Sequence, residues 1–219
     1  MRIGLLGGTF DPVHFGHLRT ALEVAEDLAL ERVYLVPASV PPHKERGAVA
    51  SFDDRIAMIR MAIQGTPLLG ALDVEGRRGG VSYTVQTLRE LRDRCPGELE
   101  LFFILGTDAF LEIHTWKEFR SLFDLTHFVL VERPGSAAGA LEPYLDSLGV
   151  AWAASTSGSD RVTSSGNRLI RKTVTGLDIS STYIRRIAAA GRSVRFLVPE
   201  PVEAYLKEER LYDAHGEHG

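Results

Sequence analysis

Apolar runs at residues 3–6, 33–36, 69–74, 99–105 and 128–131 recur along the chain, and the stretches between them carry helical periodicity. That alternation predicts an α/β fold, a doubly wound parallel sheet with flanking helices. One helix is expected to begin near Leu18, after the first strand and a glycine turn. A second, over residues 51–63, opens with Ser51 followed three positions later by Asp54, a capping-box-like start, and sets Ile56, Ile59 and Ile63 at core spacing. A third, over residues 82–92, carries Val85, Leu88 and Leu91 on one face and stops before the Cys95-Pro96-Gly97 turn. The last opens at Ser180 and turns Ile184 and Ile187 inward. Ligands of an open parallel sheet collect at the carboxyl ends of its strands. The loops over residues 7–17, 37–44, 76–84 and 106–117 should therefore line one crevice.

Length and composition narrow this picture. With 219 residues, 44% hydrophobic and 25% charged, the chain is expected to form a single globular domain over residues 1–219, with a flexible polar tail from about residue 213. A formal net charge of −4 argues against a general nucleic-acid binder, which needs a basic surface to displace counterions. No run is long enough to span a bilayer, so no membrane partner is expected. The lone Cys95 cannot form an intramolecular disulfide, and the strand-like start RIGLLGG does not read as a secretory leader. A reducing, cytoplasmic setting fits both; self-association as a homo-oligomer stays open. Residues 155–166, rich in Ser, Thr and Gly, read as a flexible excursion.

The chemistry concentrates in GGTFDPVHFGH, residues 7–17. Gly7 and Gly8 let the backbone approach an anion with no Cβ in the way, and the helix that follows presents its N-terminus to the same place. His14 and His17 would share one face of the first helical turn, directed at phosphates. The glycine spacing fits neither the dinucleotide fingerprint nor the P-loop. A zinc site on the two histidines would lack a third ligand at suitable spacing, and no carboxylate cluster marks a protein metal site. In PASVPPHKERG, Pro37, Pro41 and Pro42 stiffen a loop ending in His43, Lys44 and Arg46, either cations held over a pocket or a solvated turn. In RRGGVSYTVQTL, Ser82, Tyr83 and Thr84 open a helix whose N–H groups favour a carboxylate or phosphate, a role compatible with ordinary capping. Asp108, beside Gly106 past the fourth strand, can accept ribose hydroxyls. Trp116 can stack on a flat ring or join the core. ISSTYIR sets Ser180, Ser181, Thr182 and Arg185 at a helix start, suited to a triphosphate.

In chain order, GGTFDPVHFGH, VPPHK, SYTVQTL, LGTDAF with TWKEF, and ISSTYIR resemble the bacterial nicotinate-nucleotide adenylyltransferases, a family of the nucleotidyltransferase superfamily with the T/HxGH motif, matched at Thr9, His14, Gly16 and His17. The resemblance spans residue 1 to about residue 212 and is weakest over residues 133–178. It implies a Rossmann-like nucleotidyltransferase fold and transfer of AMP from ATP to nicotinate mononucleotide, giving nicotinate adenine dinucleotide and pyrophosphate in NAD biosynthesis. It assigns His14, His17 and Arg185 to the phosphate chemistry, and Gly7, Gly8, Thr9, Phe10, Gly106, Ser180, Ser181 and Thr182 to ATP. His43, Lys44, Tyr83, Thr84, Asp108 and Trp116 would hold nicotinate mononucleotide. Mg²⁺ would travel on the ATP phosphates with no protein ligand. No Ser/His/Asp or Cys/His arrangement for a covalent intermediate is evident, so direct in-line attack is expected. The rival readings are a sister enzyme acting on nicotinamide mononucleotide or phosphopantetheine and, from another class, a non-catalytic nucleotide-sensing module.

Overall fold

One sheet takes β1 (Arg2–Gly8), β2 (Arg32–Pro37), β3 (Leu69–Ala71), β4 (Glu100–Gly106), β5 (His127–Glu132), β6 (Trp152–Ala154), β7 (Arg161–Thr163) and β8 (Arg168–Thr173) in the order β3-β2-β1-β4-β5-β8-β7-β6. The source is a computed structural model, which describes residues 1–40, 50–95, 97–132, 141–154 and 160–213. Every pairing from β3 to β8 is parallel, and β7 and β6 add an antiparallel edge. The chain builds outward from β1 to β3 and then returns to the other side of β1 with β4. That reversal opens a crevice at the carboxyl ends of β1 and β4.

Side chains alternate between two cores. Leu6, Phe102, Ile104 and Val129 pack with α1 (Phe15–Asp27), α2 (Phe52–Ala62), α8 (Ser181–Ala189) and α9 (Glu200–Glu208). Leu5, Phe103, Leu105 and Phe128 pack with α3 (Val74–Arg78), α4 (Thr84–Arg94), α5 (Thr107–Phe110), α6 (Phe119–Leu125) and α7 (Leu141–Ser147). Helices on both faces explain why β4 reads as the unbroken apolar run LFFIL rather than an alternating one. No helix among the described residues is long and apolar enough to cross a membrane.

Several boundaries differ from expectation, each for a local reason. The first helix begins at Phe15, before Leu18, because His14 takes the N-cap. The third strand stops at Ala71, and Val74 opens α3 instead of closing a strand. One helical turn of five residues with a central glycine carries no readable periodicity. Gly76 lies against the Phe52 ring, where a side chain would collide. Within the expected excursion, Arg161–Thr163 form a strand and Gly166 turns the chain back at φ 84°; residues 155–159 lie outside the described ones. Other expectations hold. Ser51 Oγ accepts the Asp54 N–H at 3.1 Å, Ile184 and Ile187 are buried, and Cys95 is exposed at the end of α4.

His127, opening β5, accepts the main-chain N–H of Arg168 on Nδ1 at 2.9 Å. Burial, with Arg168 beside it, pushes this imidazole from its ordinary 6.5 down to about 4. Between those values the unfolded chain binds a proton that the native state refuses, so stability falls as pH falls through this window. Urea midpoints measured from pH 7 to pH 4 should drop further for the parent protein than for His127→Gln, which keeps an acceptor without the titration. Equal losses would reject the assignment.

Candidate active site

A cavity of about 730 Å³ lies across the carboxyl ends of the parallel strands, a size suited to nucleotide-scale ligands. Gly7 and Gly8 at the end of β1 and Thr9 just beyond wall it, with Ala38 after β2, Ser82 and Tyr83 before α4, Thr84 opening α4, Gly106 ending β4 and Asp108 in α5. His17 and Trp116 also line it. All four expected loops contribute to it, the second through Ala38, with residues 41–44 outside the described ones, and the crevice extends further. Val131 of β5, and Val174, Gly176 and Leu177 following β8, complete the wall.

The GGTFDP turn is shaped by burial. Phe10 sits at φ 53°, in the left-handed region, with its side chain 1% exposed. Packing of that ring in the core holds a conformation unusual for a bulky residue. Its edge meets the His17 ring at 4.9 Å between centroids, and His17 stacks on His14 at 3.7 Å. The main-chain N–H of His14 donates to His17 Nδ1 at 3.3 Å. With Nδ1 engaged as an acceptor, a neutral His17 carries its proton on Nε2. Gly16 packs closely under this stack: a Cβ there would lie 3.0 Å from His14 Nδ1, so a side chain would need the imidazole to shift. The two histidines are thus not equivalent: His17 borders the cavity, whereas His14 is 2% exposed and supports it from behind.

The α8 start is docked against the same turn. Ser180 Oγ accepts the Tyr183 N–H at 3.2 Å, Ser181 Oγ donates to the Pro12 carbonyl at 2.9 Å, and Thr182 Oγ1 accepts from Arg185 Nη2 at 3.2 Å. Ser181 is committed as a donor, whereas Ser180 and Thr182 accept in these bonds and keep an O–H to give, so the helix start offers a ligand main-chain N–H groups, two hydroxyls and Arg185. Arg185 Nη1 donates to the Asp11 carbonyl at 2.7 Å. Neither this group nor Phe10 or His14 forms part of the cavity wall.

In the other half, Tyr83 is the N-cap of α4 and Thr84 its first residue. Lys117 Nζ stands 4.5 Å from the centre of the Tyr83 ring, while Trp116 meets Phe103 edge-on at 5.9 Å. Gly106 leaves room for the Asp108 carboxylate, which a side chain at 106 would meet. Ser82 has a structural role, its Oγ accepting the Ser39 N–H at 2.7 Å to tie the loop after β2 to the start of α4. His43 and Lys44 lie outside the described residues.

Sequence reasoning missed four residues here. Glu75, 7% exposed, lines the cavity and accepts from Thr87 Oγ1 at 2.7 Å, linking α3 to α4. Thr107, 6% exposed, lines the cavity with a hydroxyl that has no hydrogen bond among the described residues. Its place in GTD was the available signal. Arg55, 2% exposed, donates from Nε to Ala50 O (3.1 Å), from Nη1 to Thr9 O (2.9 Å) and Ala38 O (2.7 Å), and from Nη2 to Ser39 O (3.1 Å). Burial pulls this guanidinium's pKa down, and the Asp11 carboxylate opposes the shift. Tyr212 donates to Asp11 Oδ1 at 2.6 Å. Burial, then the carboxylate beside it, pushes its phenol far up, so it stays a donor at working pH. Among the described residues no group of three or more His, Cys, Asp or Glu is arranged to hold a metal ion.

Comparison with known proteins agrees with this arrangement. The cytidylyltransferase-like family model matches residues 5–187. A probable nicotinate-nucleotide adenylyltransferase of Desulfatibacillum aliphaticivorans is 49% identical, the match covering 97% of this chain and all of that one. Another, from Geotalea daltonii, is 46% identical, covering 97% and 99%. The fold matches that of Plasmodium falciparum nicotinic acid mononucleotide adenylyltransferase, solved in complex with NaAD, with a TM-score of 0.74 at 17% identity over 96% of this chain and 97% of that one. Such identity along nearly the whole length makes this chain a member of the nicotinate-nucleotide adenylyltransferase family.

Proposed function

We propose that the protein transfers AMP from ATP to nicotinate mononucleotide, releasing pyrophosphate and forming nicotinate adenine dinucleotide for NAD biosynthesis. The observation that carries this reading is the continuity of one cavity wall from Gly7, Gly8, Thr9 and His17 to Tyr83, Thr84, Asp108 and Trp116. Two nucleotides laid along it would meet at their phosphates. An oxygen of the mononucleotide phosphate, already anionic, attacks the α-phosphorus of ATP in line; the new P–O bond forms as the bond to the β-phosphate oxygen breaks, and pyrophosphate leaves with those electrons. No general base is needed. The protein aligns the reactants and meets the charge that develops.

Within that scheme Gly7, Gly8, Thr9 and Gly106 border ATP, and His17 offers Nε2–H to its phosphates. The N-terminus at Ser180, Ser181 and Thr182, with Arg185, attracts the same charge, while His14 and Phe10 hold His17 in place. Magnesium enters as part of the substrate, chelated by the triphosphate, because Mg²⁺ keeps water and phosphate oxygens as its main ligands. The start of α4 at Tyr83 and Thr84 receives the nicotinate carboxylate, Trp116 stacks on the pyridine ring, and Asp108 meets a ribose hydroxyl. His43 and Lys44 would complete the acceptor side. We read the chain as one cytoplasmic domain with a polar tail from about residue 213, and with small nucleotides rather than nucleic acid or membrane as partners.

Pyrophosphate release should be followed with MgATP and, in turn, nicotinate mononucleotide, nicotinamide mononucleotide and phosphopantetheine. The nicotinate form should turn over fastest, because a helix N-terminus favours a carboxylate over a neutral amide. Equal turnover of the amide form would overturn the carboxylate assignment, and no release with any acceptor would overturn the reaction.

A further inference from the structure

The segment after α9 reaches the back of the ATP half. After α9, Arg210 and Tyr212 both adopt left-handed backbone, at φ 50° and 69°, and the Leu211 N–H between them returns to the Leu206 carbonyl at 3.0 Å. Two non-glycine residues in this region are costly unless their surroundings hold them there. What the turn achieves is the seating of the Tyr212 hydroxyl on Asp11, a carboxylate with no exposed surface.

Asp11 stands between Tyr212 and Arg185. Its Oδ1 accepts from Tyr212 and, at 3.0 Å, from the Ala50 N–H. Its Oδ2 has no hydrogen bond among the described residues and lies 3.4 Å from Arg185 Nη1. That same nitrogen donates to the Asp11 carbonyl at 2.7 Å. The carboxylate is therefore anchored on the Oδ1 side by two donors, and its orientation determines which oxygen faces the guanidinium. Removal of the phenol would leave the Ala50 N–H as the one donor to Oδ1 among the described residues and let the carboxylate rotate toward Arg185. A guanidinium drawn into a tighter pair with Asp11 has less of its charge and fewer of its N–H groups to give to a triphosphate.

We infer that Tyr212 is a positioning residue of the ATP half: by anchoring Asp11 it keeps Arg185 available to the nucleotide phosphates. The inference rests on the proposed assignment of Arg185 to ATP. Tyr212 itself does not line the cavity and acts only through Asp11.

The test uses the full chain with Tyr212→Phe, Arg185→Lys and the double variant, assayed for pyrophosphate release and, separately, for MgATP binding by calorimetry. Tyr212→Phe should raise the KM for ATP about 5- to 10-fold, somewhat less than direct loss of a charged hydrogen bond, with the KM for nicotinate mononucleotide within about twofold of the parent. In the Arg185→Lys background the same change should add little, the non-additivity expected of residues acting through one another. Equal rises in both KM values, additive effects, or an unchanged KM for ATP would each overturn the inference. If Tyr212→Phe lowers the yield of folded protein, the calorimetric affinity of the soluble fraction decides the question, since a purely structural defect leaves the affinity of folded molecules unchanged. A parent protein that binds MgATP but releases no pyrophosphate would remove the proposed reaction while leaving the Tyr212 binding test intact. One that binds no MgATP would remove both.

Discussion

His17→Ala should lower kcat by about 10²- to 10³-fold, the loss seen when one preorganised donor to a developing charge is removed. The expectation follows from how little freedom the ring has. It is stacked on His14, edged by Phe10 and held through Nδ1 by the main chain, so the Nε2 side is oriented before substrate arrives. A donor fixed in advance contributes most where charge appears in the transition state, and least to ground-state binding. The KM for ATP should therefore move only a few-fold, and steady-state pyrophosphate release separates the two parameters. A kcat within about threefold of the parent would remove His17 from the phosphate chemistry.

Arg55→Met should produce the largest loss of stability, about 3–5 kcal/mol. The substitution approximates the volume while removing donors from the carbonyls of Thr9, Ala38, Ser39 and Ala50. Those acceptors face a side chain that is 2% exposed, where water does not readily replace a lost donor. For a domain of this size the unfolding midpoint should fall by roughly 10–15 °C. Arg55→Lys should recover less than half of that, because one ammonium cannot span the directions served by a planar guanidinium. Thermal unfolding followed by circular dichroism measures both variants; a midpoint within about 2 °C of the parent for Arg55→Met would show that the carbonyls find other partners.

The parts of the fold that could be read from sequence were those with local cause. β1, β2, β4 and β5 announce themselves as short apolar runs because helices cover both sheet faces. Ser51 signals α2 through its own capping bond, and ISST marks the start of α8 in the same way. β8 was harder: Arg168, Arg171 and Lys172 break its apolar run at Leu169 and Ile170, although the segment after it closes the cavity. α3 is a single turn. In the site, Gly7, Gly8, Thr9, His17, Tyr83, Thr84, Gly106, Asp108 and Trp116 gather on one wall as their motifs suggested. The different stations of His14 and His17 could not be foreseen, since both occupy one motif and only packing around Phe10 separates them. Arg55 and Tyr212 gave no signal at all. One lies within an ordinary amphipathic helix and the other near the end of the chain, and their partners are brought to them by tertiary folding.

All four acceptors of Arg55 are main-chain oxygens. A contact of that kind places no demand on which side chains occupy positions 9, 38, 39 and 50, provided the backbone path is kept. Substitutions there would not need compensating changes at 55, so pairwise covariation among relatives would pass over this interaction. The arginine would stand out only as a solitary constant position, and its reach would be visible only in three dimensions.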